Sequence, residues 1–145
     1  MNLKSAAALS MVALLCAAGA ARADIVHFAA TLTGKDEVPP NSSAATGQVT
    51  AELETSERTL AYRATYQGLS GAATMAHFHG PAAPGSNAPP IITVGDQAKL
   101  PIGGSVRLTP QEMDDLLAGK WYFNVHTAAN PSGEIRGQLK EVGRY

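Results

Sequence analysis

The chain has 145 residues, with one cysteine, four histidines, eleven Lys+Arg and twelve Asp+Glu, and a formal net charge of −1. So small a charge gives no electrostatic reason to bind nucleic acid or an anionic membrane surface. A single cysteine excludes an internal disulfide and a thiolate metal cluster. The length suits one domain with a core that needs no covalent staples.

Residues 1–23 read as a secretory signal peptide. Lys4 lies near the start, an apolar Ala/Leu-rich run follows from Ala6 to Ala18, and Ala21-Arg22-Ala23 has the small-x-small pattern of a cleavage site. The run is too short to span a bilayer as a stable helix. Leu15 precedes Cys16, where a lipidation signal requires a small residue. Cleavage after Ala23 would leave one domain of 122 residues, 24–145, without the cysteine. Losing Lys4 and Arg22 leaves nine Lys+Arg against twelve Asp+Glu, a charge of −3. The mature chain is expected to be secreted or periplasmic, with neither nucleic acid nor membrane insertion among its interactions.

From Ile25 onward the dominant pattern is two-residue alternation, the mark of half-buried strands. Ile25 to Thr33 is the first, and Pro39-Pro40-Asn41 marks a turn. Val49, Ala51 and Leu53 alternate with polar neighbours, as do Leu60, Tyr62, Ala64 and Tyr66. Gly68-Leu69-Ser70-Gly71 is turn chemistry before a strand from Thr74 to Gly80. Gly80 to Pro90, rich in Pro, Ala, Gly, Ser and Asn, reads as a long surface loop. Gly103-Gly104 suggests a turn ahead of a strand from Ser105 to Leu108. Thr109-Pro110-Gln111-Glu112 has the form of a capping box, with Met113, Leu116 and Leu117 as the apolar helix face and Gly119 as its stop. Lys120 to Thr127 and the alternating Ile135, Gly137 and Leu139 give the last strands, around the turn Asn130-Pro131-Ser132-Gly133. These elements predict an all-β fold, an antiparallel β-sandwich or Greek-key barrel of about 7–8 strands with one short connecting helix.

The histidines carry the chemical signal. In a strand, residues two apart share a face, so His77 and His79 project together with Met75, opposite Ala76 and Phe78. In Trp121 to His126, Trp121, Phe123 and Val125 share one face and Tyr122, Asn124 and His126 the other. If the apolar faces line the core, His77, His79 and His126 all lie on the outer face. They can meet at one metal ion only if the two strands are close neighbours. Three imidazoles without a thiolate suit copper or zinc and leave a coordination position open. Met75 is a further soft candidate ligand, and ordinary packing explains it equally well. His27 has no local support as a ligand. Glu134 and Arg136 sit two apart on one strand face. They read either as a solvated or cross-strand ion pair, or with Arg136 as a positive charge guiding an anion to a metal site. The sequence contains no His-Glu-x-x-His, Gly-x-Ser-x-Gly or phosphate-loop motif.

An ordered series of motifs carries a resemblance. They are Phe28 to Gly34 with Glu37-Val38-Pro39-Pro40, Gly68 to Gly71, Ala76 to Ala82, Leu108-Thr109, Gly119 to Thr127 and Asn130 to Leu139. On these the chain resembles the CHRD domain, named for its occurrence in chordin, in its small secreted bacterial form. Chordin's growth-factor partners do not carry over to such a protein. The paired histidines and the later strand histidine are also similar to the copper site of copper/zinc superoxide dismutases. That similarity implies His77, His79 and His126 as copper ligands and Arg136 as a loose analogue of the anion-guiding arginine. No zinc loop is recognisable, so zinc is not expected, and His27 is the only candidate for a fourth copper histidine.

Three functions follow. The first is a copper-binding module for storage, delivery or sensing, with the metal ion as its partner. The second is a copper-only, dismutase-like oxidoreductase. The third is a metal-free interaction or adhesion domain that meets envelope proteins through the Gly80 to Pro90 loop. Few basic residues lie near the motifs, so a funnel for an anionic substrate is weak and the binder ranks above the enzyme.

Overall fold

The structure, a computed structural model, describes residues 24–94 and 100–145. The expected signal peptide lies outside the described residues. Alternation becomes strand along most of the chain: β1 (Ile25–Thr33), β2 (Thr46–Glu54), β3 (Thr59–Gln67), β4 (Ala73–His79), β5 (Pro90–Thr93) and β6 (Ile102–Arg107). Helix α1 (Pro110–Leu117) follows, then β7 (Tyr122–Thr127), β8 (Ile135–Gln138) and β9 (Lys140–Arg144). All pairings are antiparallel, in the order β5-β4-β7-β8-β1-β2-β3-β6, with β9 also on β1.

The sheet rolls up on its apolar face. Tyr62 of β3 packs edge-on against Phe78 of β4 with ring centroids 5.1 Å apart, although four strands separate them in the sheet order. Phe78 also meets Phe123 at 4.8 Å and Trp121 at 6.1 Å. Phe78, Phe123 and Trp121 are fully buried, and each contributes roughly 1.5–3 kcal/mol. The capping box forms as expected, with Thr109 Oγ1 accepting from the Glu112 amide and Glu112 from the Thr109 amide. Leu116 is buried, Met113 and Leu117 pack against the core, and Gly119 ends the helix at φ 71°. No helix among the described residues is long and apolar enough to cross a membrane.

Three local expectations are corrected. Gly103 and Gly104 lie inside β6 rather than in a turn. A side chain at Gly104 would come within 2.5 Å of Tyr62 Oη and 2.8 Å of its Cζ, so the glycine leaves room for the ring on the neighbouring strand. The last alternating segment is two strands: β8 pairs with β7 and β9 with β1, and they break at buried Leu139. Finally, β7 is not half-buried. All six of its residues are buried, so its second face is covered as fully as its first.

Candidate metal centre

The cover over that second face shapes the site. In the ladder, Met75 stands opposite His126, His77 opposite Asn124, and His79 opposite Tyr122. On the far side of β7, Asn124 stands opposite Arg136 of β8. The strands are direct neighbours, so equal parity becomes proximity. The candidate ligand nitrogens of His77, His79 and His126 lie within 4.8 Å of one another. The face itself is not the open outer face expected. The three histidines are only 7–8 % exposed. The segment after β4 returns across them as a strap, and the Pro39-Pro40 loop and the 130–133 turn, joined by Asn41, close over the cluster beside it.

The strap is pinned from below. Ala88 carbonyl accepts from His79 Nδ1–H at 2.9 Å and from Tyr122 Oη–H at 3.1 Å. Arg136 donates to Asn87 Oδ1 at 2.9 Å and to the Ser86 carbonyl at 2.7 Å. Its guanidinium carbon lies 3.4 Å from the centroid of the Tyr122 ring, and His79 stacks on that ring at 4.6 Å with 5° between the planes. Asn87 Nδ2 then reaches the Val38 carbonyl at 2.9 Å and ties the strap to the Pro39-Pro40 loop.

Each imidazole is oriented. The Pro131 carbonyl accepts from His126 Nδ1–H at 3.0 Å, as Ala88 does from His79. A carbonyl has no proton to give, so both rings carry hydrogen at Nδ1. In the neutral ring both then present a lone pair at Nε2, the arrangement that prepares a histidine for a metal. His77 Nδ1 lies 3.1 Å from His126 Nε2. Two nitrogens bound to one ion at about 2.0–2.1 Å stand about 2.9–3.4 Å apart, and this pair is within that range. Burial holds His77 down at about 4, helped by the neighbouring His126 and His79, and burial also lowers His79. Both rings are therefore neutral at neutral pH, as metal ligands must be.

The remaining candidates fall outside this cluster or take other roles. Met75 is 44 % exposed beside His126. His27 lies on β1 with Glu52 at 3.5 Å and Tyr145 against its ring, away from the three histidines. Glu134 and Arg136 are both buried, which corrects the solvated-face expectation, and they have separate partners. Glu134 accepts from Ser43 Oγ, Ser70 N, Ser70 Oγ and Thr127 Oγ1.

Two residues of the site carried no sequence signal of their role. Asn124 is 3 % exposed, and its Oδ1 lies 2.9 Å from His79 Nε2 and 3.0 Å from His126 Nε2. Its parity with His126 was legible, but not its place between two rings. Glu37 comes from the Pro39-Pro40 loop and accepts a hydrogen bond from the Asn124 side chain. Burial raises Glu37 to about 7, against the opposing Arg136 charge and the hydrogen bonds from Asn124 and Val38. Gly133 makes room for both: at φ 128°, any Cβ there would strike the Glu37 carboxylate and come within 2.7 Å of Asn124 Nδ2.

A family model described as the CHRD domain matches residues 28–139, a span that holds every residue of this cluster. Neither the curated proteins nor the solved structures contain a match to the chain.

Proposed function

We propose, from the premise that this chain belongs to the CHRD domain family, that it is a copper-binding module whose ligands are His77, His79 and His126. The carrying observation is the convergence of three buried imidazoles, two of which have their Nδ1–H groups fixed by backbone carbonyls. Copper is favoured over zinc because a given nitrogen and oxygen donor set binds Cu(II) more tightly than Zn(II). The expected leader supports a secreted or periplasmic setting.

The same contacts favour binding over the other two readings. The Arg136 guanidinium is engaged by Asn87, Ser86 and the Tyr122 ring, which supports a strap anchor over an anion guide. The strap is tied onto the histidine face, which supports a cover for the site over a free adhesive loop.

The test is a Cu(II) titration of wild type and of His77→Ala, His79→Ala and His126→Ala. One site per chain is expected, with each substitution lowering affinity by at least about a hundredfold. No binding, or binding indifferent to all three changes, would overturn the proposal. An assay of superoxide consumption by the copper-loaded protein separates a binder from a dismutase-like enzyme.

A further inference from the structure

The plain hydrogen-bonding account of the cluster fails at one atom. His77 Nδ1–H could donate to His126 Nε2, which would explain that contact without a metal. Asn124 Oδ1 has no such explanation. It faces two Nε2 atoms at 2.9 and 3.0 Å, and both rings have their protons on the opposite nitrogen, against Ala88 and Pro131. Three lone-pair atoms thus face one another at hydrogen-bond distance with no hydrogen between them.

Turning the amide over would break the hydrogen bond that Asn124 now gives the Glu37 carboxyl, so that contact holds Oδ1 toward the two rings. Oδ1 stands 2.9 and 3.0 Å from the two Nε2 atoms, separations that two ligands of one ion adopt. A single metal cation at the meeting point satisfies all three atoms, together with His77 Nδ1.

We propose that Asn124 is the fourth ligand of this site through Oδ1, and that its oxygen makes the site prefer divalent over monovalent copper. The inference rests on the three-histidine reading above. An amide oxygen is a hard donor that favours Cu(II), whereas Cu(I) is soft and gains little from it. Glu37 is a positioning residue here: by taking the amide N–H it aims Oδ1 at the metal.

The test compares wild type, Asn124→Leu and Asn124→Asp as full-length, copper-loaded protein. Cu(II) and Cu(I) affinities are measured by competition with chelators of each ion, together with the reduction potential. Leucine branches at Cγ as asparagine does, is somewhat larger, offers no donor and leaves no room for a replacing water. Asn124→Leu is expected to weaken Cu(II) at least about tenfold while Cu(I) changes by less than about threefold. The potential then rises by about 60 mV, the one-electron equivalent of that tenfold change. Asn124→Asp replaces the amide with an anionic oxygen and lowers the potential below that of wild type. Should Asn124→Leu fail to fold, the aspartate variant carries the test alone, and an unchanged potential there refutes the proposal. Equal weakening of both ions would make Asn124 a scaffold residue and also refute it. If the histidine variants abolish binding while both Asn124 variants keep the wild-type potential, only the fourth ligand falls. If wild type binds no copper, the three-histidine reading falls with it.

Discussion

The buried carboxylate of Glu134 offers a test of how the site's surroundings are held. It is fully buried, and its four donors are three hydroxyl groups and an amide, none of them charged. These donors come from the segment before β2, the Ser70 turn and the end of β7. The carboxylate therefore ties two loops to the end of β7 and closes the turn, between Thr127 and Glu134, whose Pro131 carbonyl orients His126. Burial by itself would raise its pKa, but the hydrogen bonds from Ser70, Thr127 and Ser43 outweigh it and bring the group to about 2. Against the ordinary 4.5, that difference corresponds to about 3 kcal/mol of stability. The folded-state value is the lower one, so this stability is complete above pH 4.5 and disappears as the pH falls toward 2. Glu134→Gln preserves the shape and removes the charge. Urea unfolding of both proteins should show the variant about 3 kcal/mol less stable at neutral pH, with the gap closing between pH 4.5 and about 2. Other carboxylates such as Glu54 and Glu141, also lowered, are common to both proteins and cancel in the difference. A gap that stays constant across that window would refute the reasoning.

Three further outcomes can be checked independently. In the metal-free protein His77 should remain neutral through mildly acidic pH, its ring resonances moving only around pH 4; a midpoint near 6.5 would show that burial does not act as described. Arg136→Lys keeps the charge but loses the two-pronged hold on Ser86 and Asn87 and the flat contact with Tyr122, so amide exchange in residues 82–89 should accelerate at least about tenfold. Gly104→Ala should cost about 1–3 kcal/mol, since its Cβ would overlap the Tyr62 ring. Most of that cost should vanish in a Tyr62→Ala background, and a full cost retained there would place the strain elsewhere.

The sequence by itself determined what depends on near neighbours in the chain. Alternation located β1, β2, β3, β4 and β7, because the side-chain period of a strand is local. The capping box located α1, because both its hydrogen bonds close within four residues. Parity likewise put His77, His79 and His126 on matching faces. Tertiary structure decided the rest. That β4 lies directly beside β7 is a long-range pairing, and it turned three matching faces into one cluster. That the face is covered depended on a strap whose composition says only loop, and whose anchors, Arg136 and Tyr122, lie about 35–50 residues further along the chain. The strap over Arg136, and Ser43, Ser70 and Thr127 around Glu134, converted an apparent surface pair into two separately satisfied buried charges. Asn124 shows the division most clearly. Its face was set by its place two residues before His126, but its contact with His79 and Glu37 exists only because three distant segments converge on one buried point.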